Sequence, residues 1–260
     1  MKPTESIQRY KAVVAYDGHA FAGWQVQPGK TTIQGELERA VYELTRQEVR
    51  VFASGRTDTG VHAVGQVIHM DLQIQQRPDQ MMLGLNRFLP DAIRVMKVAR
   101  VKPDFDARMT ATGKEYRYFI WNDFILPPHL RFYRTHVRKP LDLEAMRRAA
   151  GFLEGTHDFA GFSTNPGYDR GGTVRRIDCL SITRKGKDVT LIARGEGFLY
   201  RMVRSLAGFF IRVGVGDLPP EMALAILAGK ERTARVPTAS PNGLFLWKVF
   251  YPKSSRGERG

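Results

Sequence analysis

Residues 49–72 read VRVFASGRTDTGVHAVGQVIHMDL. VRVFA (49–53) alternates briefly, and HAVGQVIHMDL (62–72) is a longer run of β-branched and apolar residues, so both predict strands. Between them Ser54, Gly55, Asp58 and Gly60 supply the chemistry of a turn. What flanks this β-β pair decides the fold. Upstream lies a strand pattern, YKAVVAY (10–16), followed by TTIQGELERAVYELTR (31–46). In that second stretch Ile33, Leu37, Ala40, Val41 and Leu44 repeat at helical spacing, and Thr31 with Gln34 has the spacing of a capping box. Downstream, RPDQMMLGLNRFLP (77–90) has Pro78 near a helix start and Met82, Leu85 and Leu89 on one face, and AIRVMKVARV (92–101) alternates again. The order β-α-β-β-α-β predicts a ferredoxin-like unit.

The rest of the chain repeats that order with longer insertions. Strand KEYRYFIW (114–121) leads through Pro127–Pro128 to helix LDLEAMRRAAGFL (141–153). Strands TVRRIDCLSIT (173–183) and DVTLIAR (188–194) form a hairpin across the basic turn RKGK. Helix GFLYRMVRSLAGFFIRV (197–213), a small helix after Pro219–Pro220 and strand LFLWKVF (244–250) complete it. The prediction is an α+β protein of two ferredoxin-like halves, 1–108 and 109–253, whose mostly antiparallel sheets lie side by side. The ending KSSRGERG lacks an apolar anchor, and 254–260 reads as a disordered tail.

Composition narrows the partners. The 260 residues are 43% hydrophobic and 25% charged, ordinary for a globular chain. Forty Lys and Arg against 26 Asp and Glu leave a formal charge of +14, which favours a polyanion, because basic side chains displace the counterions of phosphates. Cys179 is the one cysteine, so no internal disulfide can form; its alternating neighbours predict a small buried hydrophobe in a reducing compartment. The N-terminus has no apolar leader and no run approaches the length of a membrane helix, so the expectation is a soluble, cytoplasmic protein.

Several chemistries are missing from the pattern. There is no phosphate-binding G-x-x-x-x-G-K-[ST] loop and no G-x-S-x-G elbow. No Cys/His cluster has metal spacing, and no cofactor or metal site is expected. His62 and His69 fall on opposite strand faces and make a poor metal pair; His157 reads as a structural loop residue. The glycines of GVGD (214–217) follow a helix and predict its stop.

Three features could carry chemistry. Asp58 fits a turn aspartate, yet Arg56 lies two residues away and threonines flank it, so an ionic or phosphate contact can be built into the same loop. Tyr116 and Tyr118 share one face of a strand with Arg117 on the other; they could stack a splayed base or simply fill the core. Arg204 sits beside the apolar belt of its helix and calls for a carboxylate partner, for which Asp58 is the candidate. A non-catalytic RNA-binding protein of two RRM-like halves would carry aromatics on its third strand, and HAVGQVIHMDL has none. A small-molecule hydrolase using an aspartate would explain neither the charge nor the aromatic-basic strand.

Taken in order, these segments resemble the tRNA pseudouridine synthase A family over nearly the whole chain. YDGHAFAGWQVQP (16–28), ASGRTDTGVHAVGQV (53–67), DFDARMTATGKEYRYFI (104–120), GEGFLYRMVRSLAG (195–208) and ASPNGLFL (239–246) match five of its motifs. The sequence departs in GEGF, where Gly-Asn-x-Phe is usual, and in Arg201, where histidine is common. The resemblance implies the pseudouridine synthase fold with a cleft between its halves, and conversion of uridine to pseudouridine at tRNA positions 38, 39 and 40 in the anticodon stem-loop. It implies a homodimer without cofactor. It places the catalytic aspartate on Asp58, the active-site tyrosine on Tyr116 and the active-site arginine on Arg204, with Arg56, Gly243 and Leu244 as further substrate-binding positions.

Overall fold

The computed structural model describes residues 7–73, 75–164 and 171–252. The tail expected at 254–260 lies outside them. The chain divides into two compact units, within Met1–Gly113 with Trp247–Gly260 and within Lys114–Leu246.

The first unit contains β1 (Gln8–Tyr16), α1 (Ile33–Thr45), β2 (Phe52–Ala53), β3 (His62–Leu72), α2 (Pro78–Phe88) and β4 (Ile93–Val101). Its strands run in the order β4-β1-β3-β2, every pair antiparallel. That is the ferredoxin-like order the sequence predicts. Tyr10, Ala12, Val14 and Tyr16 of β1 are buried, as are Ile33, Leu37 and Val41 of α1 and Met81 and Leu85 of α2. The register of β1 against β3 shifts between Val14 and Tyr16, and against β4 between Val13 and Val14. Such irregularities bend a strand end and re-aim its side chains, and here they fall beside the 54–61 loop.

Two local expectations change. Helix α1 is capped by Thr32, not Thr31: the Thr32 hydroxyl accepts from Gly35 N–H. The two preceding helical N–H groups, of Ile33 and Gln34, donate to the carbonyls of Gly23 and Trp24. Gln34 is therefore not a capping-box partner. In α2, Met81 rather than Met82 faces the core.

The second unit contains β5 (Gly113–Asn122) from Lys114 onward, β6 (Thr135–Val137), α3 (Leu143–Gly151), β7 (Gly155–Asp158), β8 (Val174–Lys185), β9 (Asp188–Gly195), α4 (Met202–Gly214), α5 (Met222–Gly229) and the first three residues, Leu244–Leu246, of β10 (Leu244–Phe250). Its strand order is β10-β5-β9-β8-β7, again the ferredoxin-like order with one strand added at the edge. The short β6 pairs parallel with β5. Neither β6 nor β7 stands out in the sequence. The β8–β9 turn narrows to Gly186–Lys187, with Lys185 opposite Asp188 and φ of +60° at Gly186, as a type II′ hairpin requires. Phe159, Phe162, Phe209 and Phe210 form a chain of ring contacts with centroids 6.1, 5.5 and 5.7 Å apart. Each such ring contributes on the order of 2 kcal/mol by its burial alone.

Helix α4 starts at Met202, five residues after the apolar run begins, because Arg201 adopts the left-handed conformation with φ of 58°. Ten of its thirteen residues are buried, as the apolar belt predicts. It stops at Gly214, and Gly216 has φ of +82°, so the GVGD glycines do end a helix. Cys179 is half-buried rather than fully buried.

Candidate functional site

Arg56 and Asp58 lie in the turn between β2 and β3. Arg56 is exposed and Asp58 half-buried. The turn is fastened from three directions. Val61 N–H closes it on the Asp58 carbonyl at 3.1 Å. Trp24 N–H donates to the Thr57 carbonyl at 3.0 Å, and Ser54 N–H to the Val67 carbonyl at 2.8 Å.

Side chains hold it from beneath. Gln66, fully buried on β3, accepts from the Ser54 hydroxyl at 2.7 Å and donates to the Gly55 carbonyl at 2.8 Å. Its amide nitrogen also lies 3.4 Å from the Tyr16 hydroxyl, which is 2.8 Å from the Thr57 hydroxyl. Burial pushes the Tyr16 phenol up to about 12, so it stays protonated.

Close backbone approach accounts for two glycines of the 16–28 segment. A Cβ on Gly18 would sit 2.0 Å from the Val61 carbonyl oxygen. One on Gly23, where φ is +88°, would sit 2.8 Å from the Thr57 carbonyl oxygen. Gly23→Ala is therefore expected to cost about 2 kcal/mol of stability and to lower activity with it. Gly29→Ala is the control: φ is +68° but nothing lies within 4 Å, so only the conformational cost of about 1 kcal/mol applies. Urea unfolding of the two variants separates the effects.

His62 and His69 are both buried and structural. His62 Nδ1 accepts from Gly18 N–H at 3.1 Å, and His69 Nδ1 from Ala107 N–H at 3.0 Å. His157 lies on β7 and not in a loop, its Nε2 2.8 Å from the Glu154 carbonyl. Among the described residues no group of three or more His, Cys, Asp or Glu could hold a metal ion.

The second unit carries the other four positions. The two tyrosines of β5 divide the alternatives the sequence left open. Tyr118 is core: its hydroxyl bonds Thr135 Oγ1 and donates to the Ser240 carbonyl at 2.9 Å, and burial pushes its phenol well above the usual tyrosine range. Tyr116 is half-buried and meets Phe198 edge to face at 5.3 Å. Arg204, half-buried on α4, donates from Nε to the Ala239 carbonyl at 2.8 Å and accepts from Ala239 N–H through its own carbonyl. Its positive charge opposes the upward shift of Tyr118. Gly243 and Leu244 are buried next to this loop. A Cβ on Gly243 would meet the Phe119 carbonyl at 2.6 Å and Thr135 Oγ1 at 3.0 Å. Arg204, Tyr118 and Gly243 are thus tied together by the 239–243 segment.

The profile of the family described as tRNA pseudouridine synthase matches residues 12–109 and 149–252, which takes in Arg56, Asp58, Arg204, Gly243 and Leu244. The chain belongs to the tRNA pseudouridine synthase family. Among the relatives of this family, tRNA pseudouridine synthase A of Oceanobacillus iheyensis is 43% identical over 95% of this chain and 98% of its own length. The protein of the same name from Brevibacillus brevis is 42% identical over 94% of this chain and all of its own length. That from Bacillus subtilis is 40% identical over 94% and 99%. The tRNA pseudouridine synthases are isomerases, and the α+β architecture with two ferredoxin-like strand orders accords with the family. Tyr16 and Gln66, which hold the Asp58 turn, escaped the sequence reading. A glutamine amid the apolar residues of β3 was the available signal.

Proposed function

We propose that this protein isomerises uridine to pseudouridine at positions 38, 39 and 40 of tRNA, with Asp58 as the nucleophile. Family membership across both units is the observation that carries the reading. The reaction breaks the N1–C1′ bond and joins C1′ to C5 of the same ring. The C5 proton passes to solvent and N1 gains one, so atoms balance without an oxidant or cofactor. The nucleophile must be able to leave again, which suits a carboxylate, attacking either the ribose C1′ or uracil C6. Asp58 has the setting for this, a half-buried carboxylate on a turn whose backbone is fixed on both sides.

Tyr116 stacks on the extruded uracil, its ring held by Phe198. Arg56 is exposed on the same turn as Asp58 and takes an RNA phosphate or the space the base leaves. Arg204 offers the substrate a positive charge from the second unit. Gly243 and Leu244 shape the substrate-binding side of the second unit. The remaining positive charge attracts the tRNA backbone, and the protein works as a cytoplasmic homodimer.

The test uses tRNA tritiated at uridine C5, from which pseudouridine formation must release the label to water. Release is expected; none from any tRNA pool would overturn the reading. Tyr116→Phe keeps the ring and removes the hydroxyl, and is expected to retain tRNA binding while lowering the release rate about tenfold. A wild-type rate would remove the hydroxyl from the chemistry and leave Tyr116 a stacking residue.

A further inference from the structure

The network beneath the Asp58 turn is centred on Gln66. Gln66 has one amide oxygen and two amide hydrogens. The oxygen accepts from Ser54, and the hydrogens go to the Gly55 carbonyl and the Tyr16 hydroxyl oxygen. The Tyr16 hydroxyl, which keeps its proton, lies 2.8 Å from Thr57 Oγ1, and either hydroxyl can donate in that bond. Three of the four bonds land on the turn itself, at Ser54, Gly55 and Thr57, the residue before Asp58, and the fourth links Gln66 to Tyr16. Gln66, Ser54 and Thr57 are buried, with Tyr16 only 4% exposed. A hydrophobic residue at position 66 would remove a partner from the Ser54 hydroxyl, the Gly55 carbonyl and the Tyr16 hydroxyl at once, and a carboxylate would face the Gly55 oxygen with no proton to give. Tyr16 reaches Thr57 from the strand end where the β1–β3 register shifts.

We propose that Tyr16 and Gln66, with Thr57, are positioning residues that hold the Asp58 backbone in the attacking geometry. The inference rests on Asp58 being the nucleophile of the proposed isomerisation. None of the three touches the reacting atoms in this scheme; they act by fixing the residues on either side of Asp58's turn. A displacement of about an ångström at a nucleophile is enough to slow a reaction roughly a hundredfold without touching affinity. The polar clamp holds Ser54, Gly55 and the Thr57 side chain, while Trp24 and Val61 hold the Thr57 and Asp58 carbonyls through the backbone. Loss of the clamp therefore loosens the turn without dismantling it.

The experiment measures single-turnover tritium release and tRNA affinity for Tyr16→Phe, Gln66→Met, Thr57→Val and Thr57→Ser. The first three are expected to lower kcat about tenfold or more, with KM and tRNA Kd within about twofold of wild type. Thr57→Ser keeps the hydroxyl and is expected to restore the rate to within about threefold. The double variant Tyr16→Phe/Thr57→Val should be no slower than either single one, because both cut the same bond. Wild-type kcat in folded Tyr16→Phe and Thr57→Val would overturn the inference, as would a rise in KM with kcat unchanged. Additive losses in the double variant would overturn it too. If Gln66→Met fails to fold by circular dichroism, the Tyr16 and Thr57 variants decide. Absence of release from the wild type would instead defeat the assignment of function, and this inference with it.

Discussion

Asp58→Asn is expected to abolish tritium release from C5-labelled tRNA, a loss of at least about a thousandfold, or ~4 kcal/mol of transition-state stabilisation. An amide has the size and turn geometry of the carboxylate but cannot form and then break the bond to C1′ or C6. The fold should survive. The Asp58 carbonyl still accepts from Val61 N–H, and Thr57 keeps its contacts to Trp24 and Tyr16. tRNA binding should stay close to wild type, because phosphate contacts from other basic residues dominate it. Asp58→Ala is a second arm, immune to hydrolysis of an introduced amide back to the acid. The measurement pairs single-turnover release with tRNA affinity and an unfolding curve. Normal turnover by either variant would remove Asp58 from the chemistry.

The parts of this fold that the sequence made legible are those where one local signal dominates. β3 and β10 match their predicted limits because each follows a loop rich in turn residues and is a distinct apolar run, β-branched in β3 and aromatic in β10. The start of α1 was misplaced by one residue because Thr31 and Thr32 are equally good caps. The choice falls to Gly23 and Trp24, whose carbonyls take the Ile33 and Gln34 N–H groups. No local pattern encodes that contact. The same holds for α4, where Arg201 turns left-handed in a run that is otherwise helical in composition. In the candidate site, Arg56 and Asp58 are visible in the sequence as an arginine and a carboxylate crowded into one turn. Tyr116 could be separated from Tyr118 only once the structure put Tyr118 against Thr135 and Ser240 and left Tyr116 beside Phe198. The Tyr16–Gln66–Thr57 clamp joins residues up to 50 positions apart, a distance over which hydrophobic periodicity says nothing about hydrogen bonds.

Arg204→Met should lower kcat about a hundredfold while tRNA affinity changes little, the next largest effect after the loss of Asp58. Methionine fills much of the volume of the arginine stem among the buried residues of α4 but carries no charge. Two things are lost at once. One is the Nε–H bond to the Ala239 carbonyl, which anchors the segment running on to Ser240 and Gly243. The other is the guanidinium charge, which acts on Tyr118 in the direction opposite to burial, after the larger contribution of the Thr135 hydrogen bond. Arg204→Lys separates them, since an ammonium keeps the charge without the planar fork or the Nε–H. If charge is what the reaction uses, the lysine variant recovers to about tenfold below wild type. If the anchor to Ala239 is what matters, lysine is as slow as methionine, and both variants share a lowered thermal midpoint. Fast turnover by a folded Arg204→Met variant would leave Arg204 a packing residue of α4 and remove it from the proposed chemistry. The kcat ratio of the two variants, read beside their unfolding curves, therefore identifies what Arg204 contributes.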